Sequence, residues 1–142
     1  ITGGLGLVGF NLFNYLTNKK LNVYCLDKNK EVYKKLKLKK NKKIILGDFQ
    51  NFHLVRRIII KKKINIIFHA GATTQVLDGI NYPLETYKNN IQGTINILEA
   101  IRKINKKIIF VFSSTDKAYG ELKKKRIYWK WFFKGRLSIW FI

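Results

Sequence analysis

The opening residues Thr2-Gly3-Gly4-Leu5-Gly6-Leu7-Val8-Gly9 restrict the fold more than any other part of the chain. Gly3, Gly6 and Gly9 recur at intervals of three, and helical periodicity follows at once, with Phe10, Phe13 and Leu16 on one face. Glycine permits the tight turn, lets the backbone approach a pyrophosphate, and allows helix and strand to pack closely. The helix that opens there offers free N–H groups and a positive dipole end to phosphate. The next apolar run, residues 21–26, ends at Asp27, eighteen residues after Gly9. A carboxylate at that strand end can accept hydrogen bonds from the ribose hydroxyls of a dinucleotide, and it repels a 2′-phosphate, so NAD is expected over NADP. The competing reading is a glycine loop and a strand-end Asp in a fold that binds something else. A glycine turn of this kind follows a strand, and almost none of that strand stands before it, so a cut N-terminus is expected.

Beyond residue 20, short apolar runs alternate with longer amphipathic stretches, the pattern of βαβ units and a parallel sheet. Helices are predicted over residues 7–19, 31–38 and 52–62, and strands over 21–26, 43–46, 64–69 and 107–113. Pro83 suits the first turn of a long helix running to about Lys103, along which Ile91, Ile95, Leu98 and Ile101 recur at helical spacing. The last strand, Lys-Ile-Ile-Phe-Val-Phe-Ser, is apolar almost throughout and suits the centre of a parallel sheet. Residues 126–142 break the pattern: they hold all three tryptophans and have no clear period.

The formal charge of +21 raises the question of nucleic acid. Lys, Ile and Asn make up roughly two-fifths of the chain, as an AT-rich coding sequence dictates, and the lysines cluster at the ends and outer faces of predicted elements. The charge therefore reads as a solvated surface that can steer a nucleotide diphosphate inward, and no nucleic-acid partner is expected. Cys25 is the only cysteine and lies in an apolar strand pattern, so it reads as buried and inert, with no disulfide framework. No signal peptide, membrane span or metal site is expected, and a cytoplasmic protein is the simple reading.

Several motifs in order carry a family resemblance. The glycine spacing, Gly47-Asp48 after the third strand, His69-Ala70-Gly71-Ala72 after the fourth, and the run Asn89-Asn90-Ile91-Gln92-Gly93-Thr94-Ile95-Asn96 together resemble the extended short-chain dehydrogenase/reductase family. The resemblance covers residues 1–120. It implies a Rossmann-like, doubly wound parallel α/β sheet, truncated at both ends, with NAD as cofactor. It implies a pyrophosphate turn at Gly3, Gly6, Leu7, Val8 and Gly9, and a ribose contact at Asp27. It places the adenine contact at Asp48 and Phe49, and further cofactor contacts at His69, Ala70, Gly71 and Asn89. From its own place at the end of a buried strand, His69 reads as structural rather than as a catalytic base.

Residues 69–120, with Ser113-Ser114-Thr115-Asp116-Lys117-Ala118-Tyr119-Gly120, look most like CDP-glucose 4,6-dehydratases and their relatives. That resemblance implies a nucleotide-diphosphate-sugar substrate and three steps. Hydride passes from C4 of the hexose to NAD⁺, water is eliminated across C5–C6, and hydride returns at C6. It implies Thr115 as a hydrogen-bond donor to the C4 oxygen, Asp116 as the acid for the departing hydroxyl, and Lys117 as its partner in elimination. An adjacent Lys and Asp can tune each other's proton affinity. A nucleotide-sugar 4-epimerase is the alternative within the fold, and a non-catalytic NAD-binding module is the alternative outside it. The bland account of Asp116 and Lys117 is a turn cap beside a surface charge.

In the resembled family the central base is a Tyr with a Lys four residues later, on the helix after this point. Tyr15/Lys19, Tyr24/Lys28, Tyr33/Lys37 and Tyr119/Lys123 have the spacing, but none lies on the right element. Residues 123–126, Lys-Lys-Lys-Arg, can be encoded by an unbroken run of A bases. Removing one A, with suitable codons chosen for Gly135 and Ser138, gives a downstream Lys-Gly-Asp-Tyr-Pro-Tyr, where the family has Tyr-Pro-Tyr. The expectation is an incomplete NAD-binding domain over 1–121 and an out-of-frame aromatic-basic tail over 122–142. A tail that lies on a membrane surface or partner is the competing reading. The chain as it stands is expected to be catalytically inactive, and the parent protein a homodimer.

Overall fold

The computed structural model describes residues 1–38 and 41–115. Helix α1, Leu7–Asn18, is followed by strand β1, Cys25–Asp27, helix α2, Lys30–Lys35, and strand β2, Ile44–Leu46. Helix α3, Phe52–Lys61, leads to strand β3, Ile66–His69, and two short helices, α4, Val76–Asn81, and α5, Pro83–Tyr87. A π-helical turn, Lys88–Gln92, joins α5 to α6, Gly93–Ile104, and strand β4, Ile109–Phe112, completes the described elements.

All the pairings among the described residues are parallel. Cys25–Asp27 pairs with Ile44–Leu46, and Ile66–His69 pairs with Ile109–Phe112. Thr2 joins the two pairs by bridging to both Leu26 and His69. Its N–H donates to the Phe68 carbonyl at 3.0 Å, its carbonyl accepts from Ala70 N–H at 3.1 Å, and Leu26 N–H donates to the Ile1 carbonyl at 2.8 Å. The order is therefore β2–β1–Thr2–β3–β4, with the chain crossing outward from the Thr2 rung on each side. This is the expected doubly wound sheet.

Helices cover both faces. On one, Leu5, Phe13, Cys25 and Ile44 form a core cluster flanked by Phe10 of α1 and by Val32 and Tyr33 of α2. On the other, Val55 and Ile59 of α3 meet Ile97, Ala100 and Ile101 of α6 over Leu26 and Ile67. Each isoleucine so buried contributes roughly 1.5–3 kcal/mol. Asparagines set the helix starts: Asn29 accepts from Val32 N–H at 3.0 Å at α2, and Asn51 from Leu54 N–H at 3.0 Å at α3. Asn105 closes α6 in the left-handed region, at φ 52°.

The strands are shorter than their apolar runs because pairing, not hydropathy, ends them. Only the last part of the run over residues 21–26 has a partner on both sides. The helix expected from Pro83 is present, but the π turn inserts a residue's worth of phase shift into it. Its buried face is Gly93, Ile97, Ala100 and Ile101, while Ile91 and Ile95 stay half exposed. Helix α4 was not expected from the sequence. Cys25 is fully buried, and burial pushes its thiol up to about 12, so it stays protonated and unreactive at neutral pH.

Candidate dinucleotide-binding site

A cavity of about 210 Å³ opens at the carboxyl ends of the strands, where the crossovers diverge from Thr2. That is where ligands bind in open α/β sheets. Its lining includes Gly3, Leu5 and Gly6 of the glycine turn, Asp27 with Lys28 and Asn29, Phe49, Ala70 to Ala72, and Asn89.

The glycine turn is shaped by close approach. Gly3 sits at φ +66°, and a Cβ there would lie 2.5 Å from the Gly71 Cα. A Cβ on Gly9 would fall 2.1 Å from the Gly3 carbonyl oxygen. Both distances are far below contact, so the turn and α1 can come together only as glycine. Gly6 N–H closes the turn onto the Gly3 carbonyl at 3.1 Å. Gly6 also starts α1 without any side-chain cap, which leaves the first-turn N–H groups for an anion. Leu7 and Val8 are exposed on that turn, and Gly9 is buried behind it.

Asp27 ends β1 beside the turn. Its carboxylate accepts from Leu5 N–H through Oδ2 and from Asn29 N–H through Oδ1, each at 2.9 Å. Two backbone donors fix its plane and leave lone pairs free for a pair of hydroxyls. Asp48, after β2, accepts from Gln50 N–H at 2.9 Å and pairs with Lys28 at 3.3 Å. It therefore stands next to the cavity rather than on its wall. Phe49 is on the wall, held between two glycines: a Cβ on Gly71 would lie 2.5 Å from the ring, and one on Gly93 2.4 Å. Asn96 anchors Phe49 further by donating to its carbonyl at 2.8 Å.

His69 is placed behind the cavity, not on it. Only 2% of its surface is exposed. Thr94 Oγ1 already donates to the Asn90 carbonyl at 2.7 Å, so it accepts from His69 Nε2–H at 2.9 Å. Nδ1 is then the acceptor for the Thr2 hydroxyl at 2.5 Å. The neutral ring thus ties the residue before the glycine turn to α6. Burial lowers its pKa to about 4, as this tautomer requires. Both ring nitrogens of His69 are therefore engaged within the protein, which leaves only its backbone for the expected cofactor contact.

The π turn delivers two asparagines to the loop after β3. Asn90 grips Thr73 at both ends of its backbone, accepting from its N–H at 2.7 Å and donating to its carbonyl at 2.9 Å. Asn89 donates to Thr73 Oγ1 at 3.1 Å, accepts from Gln50 at 3.3 Å, and reaches the cavity wall.

A family model described as GDP-mannose 4,6 dehydratase matches residues 1–131. The chain belongs to this family of NAD-dependent epimerases and dehydratases. It is 30% identical over 132 residues to CDP-paratose 2-epimerase of Salmonella typhi, covering 87% of this chain and 38% of that protein. It is 34% identical over 131 residues to dTDP-D-glucose 4,6-dehydratase of Dictyostelium discoideum, covering 84% of this chain and 29% of that protein. The UDP-glucose 4-epimerase of Thermus thermophilus, solved in complex with NAD, superposes with a TM-score of 0.74 at 27% identity, over 88% of this chain and 40% of that one. The chain thus spans less than two-fifths of the length of the curated relatives it matches.

Of the epimerase/dehydratase residues expected from the sequence, the cavity brings together Gly3, Gly6, Asp27, Phe49, Ala70, Gly71 and Asn89. Thr115 follows β4 by three residues and is exposed; Asp116 and Lys117 lie outside the described residues, as does the whole tail. Sequence reasoning gave no site role to Lys28, Asn29, Thr73 or Asn90, although Asn90 stands in the quoted run from Asn89 to Asn96. Lys28 and Asn29 carried a signal, since they directly follow the strand-end Asp. Thr73 carried none, because the hold on it is made through its backbone. Among the described residues no group of His, Cys, Asp or Glu could hold a metal ion, and no helix is long and apolar enough to cross a membrane.

Proposed function

We propose that this chain supplies the NAD-binding half of a nucleotide-sugar 4,6-dehydratase. The observation that carries the cofactor is the cavity itself: a glycine turn that admits no Cβ, an uncapped helix start and a strand-end carboxylate share one wall. The pyrophosphate would lie against Gly3, Gly6 and the start of α1, and the adenosine ribose hydroxyls would donate to Asp27. Asp48 and Phe49 would flank the adenine. NAD⁺, held there, would supply the hydride acceptor and donor. The chain's own residues orient it, with the Thr2–His69–Thr94 tie holding the floor in place. Thr115 would donate to the sugar's C4 oxygen, Asp116 would protonate the departing hydroxyl, and Lys117 would complete the elimination pair. None of the Tyr-x-x-x-Lys pairs in these residues lies on the element where the family carries its base, so cofactor binding without turnover is expected of this chain. The relatives include epimerases as well as dehydratases, which favours 4-epimerisation as the second reading. In that reading the same hydride transfer occurs and no water leaves. The parent homodimer would close over the exposed stripe of Leu84, Tyr87, Ile91 and Ile95.

Calorimetric titration tests the cofactor. NAD⁺ is expected to bind at least about tenfold more tightly than NADP⁺, and Asp27→Asn to narrow that gap. Equal binding of both, unchanged in the variant, would remove the proposal. Resequencing the gene from the Lys123 codon tests the frame. If one fewer A restores Tyr-x-x-x-Lys, the restored enzyme is incubated with nucleotide-diphosphate glucoses. A product lighter by one water marks a dehydratase, and an isomer of unchanged mass marks an epimerase.

A further inference from the structure

Among the described residues that line the dinucleotide cavity, Lys28 is the one cation, and it directly follows Asp27. Its ammonium is drawn away to the next loop: Nζ lies 3.3 Å from Oδ2 of Asp48, which stands beside the cavity and not on its wall. Asp48 is set for that contact. Its Oδ1 accepts from Gln50 N–H at 2.9 Å and its carbonyl accepts from Asn51 N–H at 3.0 Å, which leaves Oδ2 for Lys28. The pair is not needed to join the two loops, because Gly47 N–H already donates to the Asp27 carbonyl at 2.9 Å. Both side chains are partly exposed, and an exposed pair of this kind adds little to stability. Its consequence lies instead in where the lysine charge is kept.

We propose that Asp48 is a specificity-determining residue that acts through Lys28, holding its ammonium away from the ribose 2′ position so that a 2′-hydroxyl is accepted and a 2′-phosphate is not. The inference rests on the dinucleotide reading of the cavity and deepens it. Asp27 alone repels a 2′-phosphate, but a lysine beside it is a mobile point charge with three donors that can offset the repulsion. Asp48 takes up that charge. A phosphate can then reach the ammonium only by approaching a second carboxylate. The preference for NAD therefore has two parts: Asp27 accepts from the hydroxyl, and Asp48 keeps the neighbouring cation from compensating for Asp27. An adenine contact at Asp48 is common to both dinucleotides and does not discriminate between them.

The test titrates NAD⁺ and NADP⁺ by calorimetry into the native chain, Asp48→Asn, Lys28→Gln and the double variant, with circular dichroism to confirm that each is folded. Asparagine keeps an acceptor for Gln50 N–H. The ratio of the two dissociation constants cancels every contact the dinucleotides share. Asp48→Asn is expected to move that ratio toward NADP⁺ by about threefold or more, chiefly through tighter NADP⁺ binding. Lys28→Gln alone is expected to leave the ratio at or beyond its native value. The double variant is expected to fall within about twofold of Lys28→Gln, because the effect of Asp48 needs the lysine. Repulsion acting straight from Asp48 gives another pattern: the shift persists in full when Lys28 is already Gln, and that result would overturn the proposal. An unmoved ratio in Asp48→Asn would overturn it too, while NAD⁺ binding by the native chain leaves the cavity reading standing. Binding of neither dinucleotide by the folded native chain would remove that reading and this inference together.

Discussion

His69 makes the stability of this domain depend on pH in a way that geometry predicts. The ring is neutral in the folded chain, with Nε2–H given to Thr94 and Nδ1 accepting from Thr2. Protonation would put a hydrogen on Nδ1 facing the Thr2 oxygen and a charge among Phe49, Phe110 and Phe112. Burial accordingly lowers the pKa from the usual 6.5 to about 4. The unfolded chain then binds the proton more readily than the folded one across that interval. Stability conferred by the neutral ring is present above pH 6.5 and falls as pH drops toward 4. Between pH 7 and pH 4.5 the linkage relation gives a loss of about 2.5 kcal/mol from this one group. His69→Gln keeps one donor and one acceptor and does not titrate, while every carboxylate and His53 stay common to both chains. Urea unfolding of both at the two pH values isolates the term: the native chain is expected to lose about 2.5 kcal/mol more than the variant. Parallel losses, or an NMR titration that places His69 near 6.5, would refute the buried, doubly bonded tautomer.

Two further substitutions probe the cradle. Gly9→Ala places a methyl group 2.1 Å from the Gly3 carbonyl, so the turn must open; we expect a stability loss of about 1–3 kcal/mol and at least a tenfold loss in NAD⁺ affinity, read by urea unfolding and calorimetry. Asn90→Leu leaves the Thr73 N–H and carbonyl without their partner at little change in volume; we expect a loss of about 1–3 kcal/mol and faster exchange of the Thr73 amide, with exchange at Leu26 in the sheet centre unchanged.

What the sequence showed and what it hid divide along the range of the interaction. The glycine turn and Asp27 could be read because each acts through its own backbone or strand position, and the structure brings both to one cavity. The phase of the long helix could not. Ile91, Ile95, Leu98 and Ile101 recur at helical spacing, yet the π turn and the demand that Gly93 clear the Phe49 ring rotate the core face to Ile97, Ala100 and Ile101. Two apolar stripes on one helix are indistinguishable until something distant chooses between them. The same holds for His69. Its place at a strand end and its structural character were legible, but the bonds it makes were not, because its partners stand 67 and 25 residues away.

The choice made by Phe49 also explains why the site holds together as one unit. Gly71 in the loop after β3 and Gly93 at the start of α6 lack side chains for the same reason: a ring from the loop after β2 lies between them. The ring meets His69 edge-on at 5.2 Å, and His69 in turn is bonded to Thr2 at the head of the glycine turn. Three loops and one helix that are far apart in sequence are therefore fixed by contacts among five small or aromatic residues, Thr2, Phe49, His69, Gly71 and Gly93, with no charge among them. Such contacts do not weaken with salt, unlike the surface charge that surrounds them. The cofactor's polar contacts, at the turn and at Asp27, are thus mounted on an apolar frame, and added salt is expected to weaken the steering of the dinucleotide before it loosens the cradle that holds it.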